Sequence, residues 1–168
     1  MDRAIAGSPR LAAIALGSNL GDRRAAIAFA IDRLSRILAD ATVSDLVETE
    51  PETIDGTIDL DQPLYLNAVI TGWTALAPRD LLDALLAIEQ EHGRERPYAG
   101  APRTLDLDLV LLADAVVNEP GLQVPHPRFR SRFFVLGPLT QIAPDMRDPV
   151  TGRTAGELLR SLLRDESR

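Results

Sequence analysis

The run Arg103–Leu112, RTLDLDLVLL, reads as a β-strand in which an apolar set and an acidic set alternate. Side chains switch faces at each strand residue, so Leu105, Leu107, Leu109 and Leu111 are expected on one face, toward a core. Asp106 and Asp108 then share the other face. Two neighbouring carboxylates repel, and burying them unpaired is costly, so they are expected to meet a cation. Oxygen ligands of this kind suit Mg²⁺, which commonly takes one or two carboxylates and completes its shell with water and substrate phosphate. A half-exposed strand with a solvated face shows the same alternation, so the pair alone leaves both readings open.

Working outward, the same alternating and helical periods divide the rest of the chain. Leu11–Leu16 predicts a strand. Gly17–Asp22, GSNLGD, turns into a helix whose stripe is Ile27, Ala30, Ile31, Leu34, Ile37 and Leu38. Thr42–Thr49 predicts a second strand, residues 50–63 a long polar loop, and Leu64–Trp73 a third strand. Pro78 opens a second helix with Leu81, Leu82, Leu85 and Ile88, ending at Gly93. Arg94–Pro102 is a second loop, leading into the aspartate strand. Asn118–Phe129 reads as mostly loop, Ser131–Ile142 as mixed or helical, and Thr154–Glu157 as a capping box for a last helix. Strand, helix, strand, strand, helix, strand predicts an α+β fold. It is a ferredoxin-like βαββαβ core in a three-layer α/β/α sandwich with a largely antiparallel sheet.

The 168 residues suit one domain, residues 1–168, with residues 1–9 as a flexible tail. There is no cysteine, which excludes disulfides and thiolate metal sites. No apolar run is long enough to span a bilayer and no signal peptide is evident, so a cytoplasmic location is expected. A formal net charge of -7 argues against broad nucleic-acid binding. Yet Arg94, Arg96, Arg103, Arg128, Arg130 and Arg132 fall in two short segments, as an anion site would require. All 18 basic residues are Arg, so the choice of Arg over Lys carries little information.

Other candidates are weaker taken singly. His126 lies in Val-Pro-His-Pro-Arg128 beside these arginines, but a loop histidine is equally read as a surface residue. His92 reads as a group at the C-terminus of the second helix. GSNLG fits no phosphate-loop pattern and reads as a capping turn, with Asn19 or Asp22 meeting free amides. Tyr65 and Asn67 share a strand face, where an aromatic beside an amide could hold a flat heterocycle or simply belong to the core.

Together, Ala15–Gly21 (ALGSNLG), Tyr65–Ala68 (YLNA), Pro102–Asp108 (PRTLDLD), Val124–Pro127 (VPHP) and Pro138–Pro144 (PLTQIAP) resemble the 6-hydroxymethyl-7,8-dihydropterin pyrophosphokinase family. The matches run in order from about residue 11 to 145. This resemblance implies transfer of diphosphate from ATP to a pterin alcohol in folate biosynthesis, by a monomer with no nucleic-acid or membrane partner. It implies that Asp106 and Asp108 hold two Mg²⁺ ions. It also implies that Tyr65 and Phe134 sandwich the pterin, with Asn67 on its edge and Gly17 and Thr49 lining the pocket. Glu89, Arg94, Arg96, Arg103, His126 and Arg132 would contact ATP, with Arg94 and Arg103 closing over the transferring phosphates. The family's usual R-W-G-P-R-T run is replaced here by Tyr98-Ala-Gly-Ala-Pro-Arg-Thr104. A loop over 94–102 that closes with less apolar cover is therefore expected, either with Tyr98 folding over the site in place of the tryptophan or with no replacement for it. Two rivals are a non-catalytic pterin- or nucleotide-binding paralogue and an RNA-binding ferredoxin-like module. The intact aspartate pair and arginine set disfavour the first, and the charge disfavours the second.

Overall fold

Two apolar faces of one antiparallel sheet organise the molecule, seen in a computed structural model that describes residues 7–51, 57–58, 61–93 and 104–168. The strands are β1 (Arg10–Ser18), β2 (Ala39–Val43), β3 (Val47–Thr49), β4 (Tyr65–Thr74) and β5 (Asp106–Leu112). Their order is β2-β4-β1-β5, and β3 pairs with the start of β4. Helices α1 (Arg23–Leu34) and α2 (Pro78–Glu91) cover one face, and α3 (Phe133–Ile142) and α4 (Ala155–Glu166) the other. This is the expected α+β sandwich with βαββαβ order.

Alternation assigns each strand residue to its layer. Ile14 and Leu16 of β1, Leu66 and Ile70 of β4, and Leu107 and Leu109 of β5 pack with Ile27 and Leu34 of α1 and Leu81 and Leu85 of α2. Ala13, Val69 and Val110 pack with Leu136 and Leu139 of α3 and Leu158 of α4. Each fully buried leucine contributes about 2 kcal/mol by leaving water. Asp22 begins α1 by accepting the Ala25 N–H at 3.0 Å, and Thr154 begins α4 by accepting that of Glu157 at 3.2 Å.

Four local expectations are corrected. The strand expected at 42–49 is two strands, β2 and β3. Ser44 donates its N–H to Val69 O at 2.9 Å, and its Oγ accepts the Val69 N–H at 2.9 Å. The hydroxyl thus replaces a backbone acceptor, and the chain leaves the ladder without orphaning Val69. The segment 118–129 contains a hairpin, β6 (Val117–Glu119) and β7 (Leu122–Val124), which turns at Gly121 with φ +74°. The first helix ends at Leu34, and Leu38 packs onto β4 from the following turn. Only glycine fits beneath it, since a Cβ on Gly72 would lie 2.7 Å from that of Leu38. Finally, Leu111 does not share the face of Leu105, Leu107 and Leu109. Ala13 pairs with Leu111 and Ile14 with Leu109, so Val110 is an extra residue in a β-bulge. Leu111 therefore joins Val110 on the α3/α4 face. The aspartates precede the bulge and keep their alternation. Among the described residues, no helix is long and apolar enough to cross a membrane.

Candidate active site

The register lays the candidate residues in rows across the sheet. Asp106 is level with Gly17, which is level with Asn67, and Asn67 with Val47. Asp108 is level with Ala15, and Ala15 with Val69. Because Val69 and Ala13 pack toward α3 and α4, alternation puts Asp106, Asp108, Gly17, Tyr65 and Asn67 on that same face. Both aspartates are half-buried. Across from them stand a glycine and an alanine, so no bulky side chain of β1 covers the carboxylates. Two hard oxygen donors on one sheet face form a donor set of the kind that suits Mg²⁺.

On the β3–β4 side, a hydrogen-bonded cluster forms. Asn67 is 6% exposed. Its Nδ2 donates to Thr49 Oγ1 at 2.7 Å and to Val47 O at 3.3 Å. Both amide hydrogens are thereby used, leaving Oδ1 as an acceptor. That oxygen faces Gly17, where an added Cβ would sit 3.4 Å from it and 3.5 Å from Tyr65 Cδ1. Thr49 is level with Tyr65. The structure therefore brings Gly17, Thr49, Tyr65 and Asn67 together. Phe134 lies in the first turn of α3, the helix that packs across β4 and β3, and is half-buried against the second core. The Arg132 guanidinium carbon lies 5.5 Å from its ring centroid.

On the β5 side, charge dominates. His126 donates its backbone N–H to Val110 O at 2.9 Å, which fastens it to the aspartate strand. Its Nδ1 accepts the Arg128 N–H at 3.1 Å. Burial, then the Arg132 and Arg128 charges, push the ring down from 6.5 to about 4, against the opposing pull of Asp106. The ring is thus neutral near pH 7, and with Nδ1 accepting, Nε2 carries the proton and is a donor. Glu89 is 2% exposed and its Oε2 accepts the Leu107 N–H at 2.9 Å. It grips the backbone between the two aspartates from α2. Beyond Asp108 and His126, a groove of about 660 Å³ runs between the outer edge of β5, Leu82 of α2 and the β6–β7 hairpin.

Arg94, Arg96 and Arg103, and with them Tyr98 and the expected closing loop at 94–102, lie outside the described residues. The sequence reading missed the work of GSNLG. Asp22 caps α1 as expected, but Asn19 does not. Its Nδ2 donates to Gln62 Oε1 at 3.3 Å and Pro63 O at 3.4 Å, and the fully buried Ser18 donates Oγ–H to Thr104 O at 2.5 Å. The turn thus ties the end of β1 to the approaches of both β4 and β5. The two buried polar residues inside an apolar strand end were the available signal. His92 caps α2 as expected, and its ring lies 5.0 Å from Phe29.

Comparison with known proteins gives the chain's family. The family described as 7,8-dihydro-6-hydroxymethylpterin-pyrophosphokinase (HPPK) matches residues 13–144. A "2-amino-4-hydroxy-6-hydroxymethyldihydropteridine pyrophosphokinase" of Pseudomonas aeruginosa is 45% identical over 147 residues, covering 87% of this chain and 88% of that protein. A protein of the same name from Bacillus subtilis is 38% identical over 143 residues, covering 84% and 83%. Among solved structures, a Plasmodium falciparum HPPK-DHPS superposes with a TM-score of 0.72 at 14% identity. It covers 94% of this chain, which spans 45% of that longer one, and the likeness speaks to the fold.

Proposed function

Because the chain belongs to the 7,8-dihydro-6-hydroxymethylpterin-pyrophosphokinase family, we propose how its own residues carry out the family's reaction. That reaction transfers diphosphate from ATP to the hydroxymethyl group of 6-hydroxymethyl-7,8-dihydropterin, giving AMP and the pterin diphosphate. The observation that carries the assignment is the row Asp106–Gly17–Asn67, which sets a carboxylate pair beside Gly17 and Asn67 on one sheet face.

Tyr65 and Phe134 take the two faces of the pterin. Asn67 Oδ1 accepts from a ring-edge donor, with the amide locked by Thr49 and Val47. Gly17 leaves the floor open. The groove beyond Asp108 receives the nucleoside end of ATP, so the phosphates pass His126 and Arg132 on the way to the pterin alcohol. His126 donates from Nε2 without adding charge, and Arg132 supplies the cation. Arg94, Arg96 and Arg103 are read as further ATP contacts, with Arg94 and Arg103 stabilising the transferring phosphates. Glu89 acts on ATP through the β5 backbone that it holds. Asp106 and Asp108 would hold two Mg²⁺ ions, which would supply positive charge beside the phosphates and acidify the pterin hydroxyl. The protein works as a cytoplasmic monomer, with both substrates being small molecules.

The test is product analysis. The purified chain, given MgATP and the pterin alcohol, should form AMP and the pterin diphosphate in equal amounts. ADP formation, or AMP release independent of pterin, would overturn the reading.

A further inference from the structure

The run Arg128-Phe-Arg-Ser-Arg132 places three arginines at every second residue, and the structure separates them. Phe129–Ser131 form a 3-10 turn, with Arg128 before it and Arg132 after it, where α3 begins. Arg128 and Arg132 both act on His126. Arg130 points elsewhere. Its Nε donates to Asp148 Oδ2 at 2.6 Å and its Nη2 to Oδ1 at 3.0 Å, a two-pronged contact with the loop before α4. Its guanidinium carbon also lies 4.8 Å from the centroid of Phe129, which is buried in the second core.

Asp148 is fully buried, and each of its oxygens accepts twice. Oδ1 also takes the Val150 N–H at 3.0 Å, and Oδ2 the Thr151 hydroxyl at 2.8 Å. A carboxylate so completely used cannot turn without losing several bonds. At roughly 120° per residue in a 3-10 turn, fixing Arg130 fixes the rotation of the turn. That in turn sets the directions of Arg128 and Arg132 on either side of it.

We infer that Asp148 and Arg130 are positioning residues for the phosphate site. The clamp on the third arginine keeps His126 and Arg132 aimed at the Asp106/Asp108 strand. This rests on the reading of that region as the ATP phosphate site. No contact between Asp148 and substrate is involved, for the residue is enclosed by Arg130, Val150 and Thr151. The pair is not needed simply to keep a buried charge satisfied, since a well-packed apolar pair could fill the same place. The difference between clamp and filler is therefore measurable.

The experiment follows His126 by NMR titration and the KM values for ATP and pterin in Asp148→Asn and Arg130→Lys. The second variant keeps the charge and loses the fork, and it serves if the first does not fold. In the folded variants, the His126 midpoint should rise from about 4 toward 6.5 as the ring loses its fixed surroundings. KM for ATP should rise about tenfold, the loss of one oriented hydrogen bond to a charged group, while KM for pterin stays within about twofold. A fall in thermal stability with an unmoved His126 midpoint and unmoved KM for ATP would overturn the inference and leave the pair a structural brace. Arg132→Ala separates the underlying reading. If that variant left KM for ATP unchanged, the phosphate site would be wrong, while a shifted His126 midpoint in Asp148→Asn would still support the clamp.

Discussion

The two halves of the active face are built by different physics. The β3–β4 half is held by hydrogen bonds among uncharged groups, with Asn67 fixed by Thr49 and Val47 beside Gly17. The β5 half is held by charge: two carboxylates, a histidine driven neutral by burial and two guanidinium groups, and arginine held off by Asp148. The first suits a flat heterocycle read by shape and hydrogen bonding. The second suits a polyanion whose charge changes during transfer. Binding of the two substrates should therefore fail separately when each half is altered.

The largest effect is expected at the strand that joins the halves. If the aspartates hold metal as proposed, Asp106→Ala or Asp108→Ala removes a ligand where charge develops and should lower kcat by about a thousandfold or more. Circular dichroism should show the fold retained, since both residues are only half-buried. Activity within a few-fold of wild type in either variant would remove the metal assignment.

A smaller effect should divide the halves. Phe134→Ala should weaken pterin binding by about 1–3 kcal/mol, by analogy with bases stacked on aromatic side chains. Nucleotide binding, measured by calorimetry with a non-hydrolysable ATP analogue, should hardly change. Equal losses for both ligands would instead indicate damage to α3.

The pH response belongs to the β5 half alone. His126 has a folded pKa near 4 against 6.5 when free, so the unfolded chain binds more protons between these values. Its contribution to stability is complete above about 6.5 and is lost as pH falls through 4. In urea titrations, wild type should lose more stability across that window than His126→Gln. Parallel curves would show that the ring is not held neutral.

The smallest effect is expected at the far end of the sheet. Trp73, the single tryptophan, is 45% exposed and lies eight residues along β4 from Tyr65, roughly 27 Å away at strand rise. Trp73→Ala should leave both KM values and kcat within about twofold, because its register partners are Leu11 and Ala39, at the end of the sheet away from the site residues.

The same contrast explains what could be read in advance. Alternation in RTLDLDLVLL placed Asp106 and Asp108 on a common face, and periodicity found the βαββαβ order, because both depend on spacing within single elements. The bulge at Val110 escaped, since inserting one residue leaves no mark in a run of Leu and Val. The break at Ser44 escaped because it depends on a hydroxyl meeting Val69, 25 positions away. The β6–β7 hairpin was hidden by strands of three residues with a proline between them. Arg130 looked equivalent to Arg128 and Arg132, and only Asp148, 18 residues on, tells it apart. Grouping Gly17, Thr49, Tyr65 and Asn67 came from resemblance, and the β3–β4–β1 register explains why those four can act together.

The most direct test of two separately built halves is a pair of variants measured against both ligands. Gly17→Ala puts a methyl 3.4 Å from Asn67 Oδ1, and His126→Gln removes the Nε2 donor. Calorimetry should show Gly17→Ala losing pterin affinity by about tenfold or more, with the ATP analogue bound as in wild type. His126→Gln should show the reverse, a loss of about 1.5–3 kcal/mol for the ATP analogue alone. Loss of both ligands in each folded variant, or of neither, would contradict the account.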